Sequence, residues 1–121
     1  MKRAIIIGSM LLLSLTVHAQ KNIKKTRATI EVKGICEMCK DRIESTAYRT
    51  KGVKFALWSI ETHQLSLIFD GRKIDTLGIQ QQMARAGHDT HPIKADKEAY
   101  QSLHDCCKYR DIQVIEDHKI P

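Results

Sequence analysis

The sequence predicts an α+β sandwich of the ferredoxin-like type, with the element order βαββαβ and a C-terminal extension. Segments in which apolar and polar residues alternate are separated by segments in which apolar residues recur every three or four positions. A glycine follows each of the helical segments, where helices commonly end. The whole pattern fits in residues 26–95, the size of one small domain. We therefore expect two helices on one face of a four-stranded antiparallel sheet.

The first strand and the first helix follow each other with only a short loop between them. Strict alternation over Arg27–Lys33 predicts a strand with one buried face, and Gly34 ends it. From Cys39 to Ala47, apolar residues recur at four-residue spacing, which predicts an amphipathic helix. Lys51-Gly52 is a typical end for that helix.

The second half of the pattern begins with a hairpin. Val53–Ile60 and Leu65–Phe69 are rich in β-formers, and the short connection between them predicts antiparallel pairing. Asp75 is expected to be the N-cap of a second helix that ends at Gly87. Residues 88–95 then predict a fourth strand, which Pro92 places at the edge of the sheet.

Residues 96–121 form an extension after the predicted sandwich. It starts with a predicted short helix and continues through Cys106-Cys107 into a polar stretch. We expect three apolar side chains on the sheet face away from the helices, called the open face below: Phe55, Leu57 and Ile68. Our hypothesis is that apolar residues of the extension cover part of it, namely Ile112, Val114 and Ile115.

Residues 1–19 have the pattern of a secretory signal peptide. Two basic residues precede an apolar run over 4–17, and small residues precede a cleavage expected after Ala19. Because the run is shorter than about 20 residues, we expect a cleaved signal and not a membrane anchor. No further segment is apolar enough to span a membrane, so we expect no span in the mature chain. The expected location is therefore periplasmic or secreted, with 20–25 as a polar leader.

The charge distribution excludes nucleic acid as an expected partner. The net charge of +6 comes from scattered basic residues without an interleaved aromatic series. The sequence also contains no pair of carboxylates on a shared face, no Ser/His/Asp set and no glycine-rich phosphate loop. We therefore expect a protein that is not an enzyme, and we expect a monomer.

The sequence Cys36-Glu37-Met38-Cys39 stands between the first strand and the first helix. Two thiols at this spacing can turn toward one point near the helix N-terminus, where thiolate is favoured over thiol. A thiolate pair serves either as a ligand set for a soft metal or as a redox couple.

The order of elements, with Cys-x-x-Cys after the first strand, resembles the heavy-metal-associated domain of copper chaperones, periplasmic mercury-binding proteins and metal-transporting ATPases. Further positions carry the same resemblance: Gly52-Val53, Ala56, Trp58, Ile60, Leu65, Leu67, Phe69-Asp70 and Ala86-Gly87. The resemblance implies that Cys36 and Cys39 are the metal thiolates. It also implies a partner that is a metal-transporting membrane protein or another metal-binding domain.

Two departures distinguish the chain from the family pattern. Gly34-Ile35-Cys36 is one residue shorter than the usual Gly-Met-Thr-Cys, which implies a tighter loop, and His88 stands where an aromatic residue is common. Further residues could act as accessory ligands. Met38 and His88 are two of them, and for each the alternative is a side chain that simply packs in the structure. Cys106 and Cys107, with His104 nearby, could form an accessory site, and the alternative is a pair of surface thiols or a disulfide.

The predicted function is binding of a soft metal ion and its delivery or scavenging by thiolate exchange, with Cu(I) favoured and Hg(II) or Zn(II) as alternatives. A periplasmic thiol–disulfide redox protein is the alternative from another class, although the aromatic residue usual before a thioredoxin-type motif is missing. A protein-interaction module that keeps the domain shape is the third.

Overall fold

A computed structural model describes residues 23–119 of the chain. The signal peptide predicted for 1–19 lies outside the described residues, as do positions 20–22 of the leader. The elements are β1 (Thr26–Glu31), α1 (Glu37–Arg49), β2 (Val53–Trp58), β3 (Gln64–Phe69), α2 (Thr76–Arg85), α3 (Lys97–Gln101), a 3₁₀ turn (Asp105–Cys107) and α4 (Ile112–Asp117). None of the helices in this part of the chain is long and apolar enough to cross a membrane.

The sheet has three antiparallel strands in the order β1-β3-β2. The central strand, β3, pairs with both neighbours along its length. Leu65, for example, lies opposite Ile30 of β1 on one side and Trp58 of β2 on the other. The alternation of apolar residues predicted these three strands, and the α+β class is confirmed.

Helices α1 and α2 supply the apolar side chains that pack on one face of this sheet. Asp75 caps α2 as predicted, because its carboxylate accepts a hydrogen bond of 2.8 Å from the backbone N–H of Gly78. Gly87 follows the helix with a φ of 101°, in the left-handed region that favours glycine. Side chains from both layers form the core: Ile30, Ile43, Ala47, Ala56, Trp58, Leu65, Leu67, Phe69, Ile79 and Met83.

The fourth strand predicted for 88–95 is not confirmed. Within the described residues this segment makes only one isolated bridge, between Val32 and Thr90. The Thr90 N–H donates instead to the carbonyl oxygen of Ile93 at 2.7 Å, so the backbone turns back on itself. Pro92 lies inside that turn and has no N–H to offer a neighbouring strand.

The hypothesis that the extension covers the open face is wrong. Phe55 and Leu57 remain 41% and 51% exposed, and Ile112 of the extension is itself 74% exposed. The extension packs elsewhere, against the loop after α2 and the cysteine loop. Ile115 lines a groove there together with Ile35 and Ile60.

Candidate metal centre

Cys36 and Cys39, called the head pair, are held by the junction between β1 and α1. Cys36 is the N-cap residue of α1 with extended backbone, and Cys39 lies in the first turn with no exposed surface. A Cβ on Gly34 would lie 3.0 Å from the Cys39 Cβ and 3.0 Å from the Trp58 ring. Glycine at this position therefore allows the loop to approach the helix closely.

A short polar network fixes the first turns of α1 to the end of β2. The Lys40 ammonium donates to the Trp58 carbonyl oxygen at 2.7 Å and to Glu44 Oε2 at 2.8 Å. The same Glu44 oxygen accepts from the Trp58 backbone N–H at 2.8 Å, and the indole N–H of Trp58 donates to the Val32 carbonyl oxygen at 2.9 Å. Backbone structure and this network together position the head pair.

Cys106 and Cys107, called the tail pair, lie beside the head pair. The Sγ atom of Cys36 is 3.5 Å from that of Cys39, 3.4 Å from that of Cys107 and 3.8 Å from that of Cys106. All four cysteines are free thiols. The structure therefore brings Cys106 and Cys107 next to the head pair, although they stand about 70 positions away in the chain.

Side chains, rather than regular backbone pairing, hold the tail pair in place. Leu103 is 4% exposed and packs against Gly87, while the Tyr109 hydroxyl donates to the Gly87 carbonyl oxygen at 2.7 Å and accepts from the Asp89 N–H at 2.8 Å. The Arg110 guanidinium donates to both Asp89 carboxylate oxygens, at 3.1 and 2.6 Å. These contacts enclose the turn that carries the two thiols.

Arg110 joins the extension to the segment that precedes it. It also donates to the Ala95 carbonyl oxygen at 2.9 Å, and it lies over the Tyr100 ring, 4.2 Å from the ring centroid. Lys108 donates to the backbone carbonyl oxygens of Tyr100 and Gln101 at 3.1 and 2.7 Å. Sequence reasoning missed this anchoring, because none of these residues belongs to a periodic pattern.

The four thiols differ in acidity. Burial raises the pKa of Cys36, but the Cys39 backbone N–H and the neighbouring thiols stabilise its thiolate, and the pKa falls below its ordinary value. Burial raises the pKa of Cys39, Cys106 and Cys107 above the ordinary value of a thiol. Cys36 is therefore the first to ionise, and it contacts the other three.

Met38 lies at the mouth of the cluster. Its Sδ atom is 3.3 Å from the Cys106 Sγ, and the side chain is 43% exposed. The Met38 side chain therefore does not pack under the loop. It lies beside a thiol and is open to solvent.

His88 is buried below the loops and is not grouped with the cysteine sulfurs. Its Nδ1 lies 2.7 Å from the Lys33 carbonyl oxygen, and its ring stacks on Tyr109 with centroids 5.6 Å apart. Its Nε2 is the one buried side-chain nitrogen or oxygen without a hydrogen-bond partner in residues 23–119. Burial lowers the pKa of His88 to about 4, so the ring is neutral at pH 7. His104 is exposed and also stands outside the sulfur group.

Comparisons with solved structures identify the fold. A structure described as CopZ metallochaperone has 26% identity and a TM-score of 0.52, covering 54% of this chain and 98% of its own. The oxidized MerP from Ralstonia metallidurans CH34 has 24% identity and a TM-score of 0.52, covering 55% and 93%. The water-soluble region of the P-type ATPase CopA from Bacillus subtilis has 27% identity and a TM-score of 0.51, covering 55% and 44%.

No family model and no curated protein matches the chain. The structural likeness extends over about half of the chain, and nearly all of CopZ and MerP is covered by it. The chain therefore has the fold of heavy-metal-associated domains, which it shares with the CopZ metallochaperone, with MerP and with a copper-binding domain of the P-type ATPase HMA7.

Proposed function

We propose that this protein binds a soft metal ion through Cys36 and Cys39, with Cys106 and Cys107 as further ligands. One observation carries the proposal: the Cys36 Sγ lies 3.4–3.8 Å from three other thiol sulfurs, although two of them are about 70 positions away in the chain. Tetrahedral coordination with metal–sulfur bonds of about 2.3 Å separates sulfurs by about 3.8 Å. The contacts of Cys36 are near that separation.

The chemistry of the site favours soft ions. Thiolates select Cu(I), Zn(II) and related ions over Mg²⁺ or Ca²⁺, and a thioether sulfur favours Cu(I) further. Because the Met38 thioether stands beside Cys106, Cu(I) is the favoured ion, with Hg(II) and Zn(II) as alternatives. The position of Cys36 at the N-terminus of α1 supports the same reading, since the helix end stabilises a thiolate.

The exposed side of the site suits a carrier or scavenger. Cys36 is half-buried and Met38 is exposed, so a second protein's thiolate can approach the ion from this side. The ion would then pass by exchange of thiolates, as cargo. The partner we propose is a metal-transporting membrane protein or another metal-binding domain; a P-type ATPase region and a metallochaperone are among the structural neighbours. We propose a periplasmic monomer.

Anaerobic competitive titration of the reduced chain with Cu(I), Zn(II) and Hg(II) tests the proposal. We expect the tightest binding for Cu(I) or Hg(II), and we expect the Cys36→Ser/Cys39→Ser variant to lose it. His104→Ala is the matched control, because this exposed side chain precedes the tail pair without joining the sulfur group. A reduced wild-type chain that binds none of the three ions would refute the proposal and favour an interaction module.

A thiol–disulfide redox function is the second candidate, favoured by the low pKa of Cys36 and its contacts with two buried thiols. Its thiolate would attack a partner's disulfide to form a mixed disulfide, and a second thiol of the cluster would then attack the Cys36 sulfur, which leaves a disulfide in the cluster and releases the partner as a dithiol. Insulin reduction and a measured reduction potential distinguish this candidate from the first. Reductase activity without tight metal binding would replace the proposed function.

A further inference from the structure

The sulfur contacts form two triangles that share one edge. Cys36, Cys106 and Cys107 lie within 4.8 Å of one another, and Cys39 is outside that group of three. Cys39 is nevertheless 3.5 Å from Cys36 and close enough to Cys107 for the two thiols to interact. The shared edge is the pair Cys36 and Cys107, with sulfurs 3.4 Å apart.

This arrangement differs from the ligand set of one tetrahedral ion. Around a single ion with bonds of about 2.3 Å, all six sulfur–sulfur separations would be close to 3.8 Å. Here Cys39 and Cys106 stand on opposite sides of the shared edge, since Cys39 is outside the group that holds Cys106. An open four-sulfur rhombus offers two three-coordinate positions, and three-coordinate thiolate binding suits a soft monovalent ion.

We propose that the cluster takes two Cu(I) ions in one chain, with Cys36 and Cys107 bridging them. The inner ion would have Cys39 as its third ligand, deep against the core, where Cys39 has no exposed surface. The outer ion would have Cys106 as its third ligand. This inference rests on the proposed function and goes beyond it in the number of ions and in the division of the ligands.

The Met38 thioether marks the outer position as different from the inner one. It lies 3.3 Å from the Cys106 Sγ and is 43% exposed, so it can complete the outer coordination from the solvent side. Cys39 of the inner triangle has no exposed surface instead, and it lies on the side of the loop where Gly34 approaches the Trp58 ring. The outer ion is thus the exchangeable one, and the inner ion is the retained one.

Charge also favours two ions over one. Four thiolates with a single Cu(I) carry a net charge of −3, whereas the same four with two Cu(I) carry −2. Excess charge in a half-buried site is costly, so the second ion reduces the penalty that the first leaves.

Stoichiometric Cu(I) titration of the reduced full chain against a chromophoric chelator is the test, with oligomeric state measured by light scattering at each addition. We expect two equivalents bound by a monomer, and a Cu–Cu scattering contribution in X-ray absorption. Cys106→Ser should retain one equivalent. Met38→Leu should weaken only the second step, by about tenfold, the low end of what supporting ligands contribute. Glu37→Gln is the control, because Glu37 is a neighbouring exposed residue that carries no soft ligand. This variant should alter neither the first nor the second binding step.

One equivalent in the wild type would overturn the inference while leaving soft-metal binding intact. Two equivalents bound only by a dimer, or two retained by Cys106→Ser, would also overturn it. Failure to bind any Cu(I) would remove the proposed function and this inference together. Circular dichroism of each variant confirms that a lost equivalent reflects a lost ligand and not a lost fold.

Discussion

The head pair and the tail pair reach the same point by different means. The head pair stands at the start of a 13-residue helix whose first turns are tied to β2, so regular structure places it. The tail pair stands on a three-residue turn, and its position depends on the side chains of Leu103, Tyr109 and Arg110. The difference teaches that regular secondary structure fixes the head pair, whereas side-chain contacts of the extension fix the tail pair. The predictions below test this difference between the two pairs.

The largest expected effect is the loss of the Tyr109 ring. We expect Tyr109→Ala to lower the free energy of unfolding by about 3–5 kcal/mol, because a buried aromatic ring is removed. Tyr109→Phe should cost about 1–2 kcal/mol, since it removes only the hydroxyl bonds to Gly87 and Asp89. Urea unfolding measures both.

Tyr48→Ala is the control for this change. Tyr48 is 51% exposed on α1, so we expect a change within about 0.5 kcal/mol. Equal losses at Tyr48 and Tyr109 would contradict the conclusion that the extension is docked through Tyr109.

Removing one thiol from each pair should have unequal effects on metal affinity. Cys36 contacts all three other thiols, so Cys36→Ser should weaken the first metal-binding step by more than about 100-fold, beyond what supporting groups contribute. Cys106→Ser should weaken that first step by less than about tenfold. Competitive titration under anaerobic conditions gives both values, and a larger loss for Cys106→Ser would reverse our ranking of the two pairs.

Acid should weaken the contact between the two regions through His88, which bonds to Lys33 on one side and stacks on Tyr109 on the other. Burial lowers the pKa of His88 to about 4, below the value of about 6.5 expected when unfolded. The stability due to this group is therefore present above the unfolded pKa and is lost as pH falls toward the folded pKa. We expect a loss of about 2 kcal/mol at about pH 5.

Denaturation of the metal-free reduced protein at neutral pH and at pH 5 measures this loss, and the same pair of measurements on His88→Phe provides the control. The variant should show a smaller change between the two conditions, whatever its absolute stability. An equal change in both proteins would assign the acid sensitivity to other groups.

The smallest effect is expected at Arg110, which is partly exposed. Arg110→Gln should lower stability by about 0.5–1 kcal/mol, because it weakens the pair with Asp89 at an accessible site. Burial alone would raise the pKa of Asp89, but the Arg110 guanidinium and the Ala95 N–H hold it below its usual value. This contribution is present above the unfolded pKa of about 3.9 and is lost as pH falls below it.

The variant should therefore lose less stability than the wild type when pH falls from about 5 to about 3. Arg27→Gln on β1 is the matched control. It removes an exposed arginine from the open face, away from the extension, and should leave the acid response unchanged.

The difference between regular structure and side-chain anchoring also explains which parts of the fold and of the site could be predicted from the sequence. Alternation over Arg27–Lys33 and the four-residue spacing from Cys39 report burial in regular elements, so the strands, helices and head pair could be inferred. The fourth strand could not be judged, because a local bond between Thr90 and Ile93 decides its geometry. Three scattered apolar residues in the extension could pack on either side of the sandwich. This explains why the prediction that they cover the open face was wrong.

The side chains that anchor the extension have partners far away in the sequence. Tyr109 bonds to positions 87 and 89, and the Cys107 sulfur meets Cys36 across 71 positions. Helices of five or six residues, such as α3 and α4, also have too few turns to show a period. The position of the tail pair beside Cys36 therefore had no local signal.

The contact between Cys36 and Cys107 would give a bound ion a mechanical role. A metal bridge there would close a chain loop of 71 positions, spanning nearly the whole described sandwich. A permanent covalent link across a loop of that length raises the free energy of unfolding by about 4 kcal/mol, because it restricts the entropy of the unfolded chain. A tightly bound ion would have a similar effect, which is reversed when the ion leaves. By the proposed function, metal binding would then lower the population of unfolded chain and with it the rate of proteolysis, and release of the ion would remove that protection.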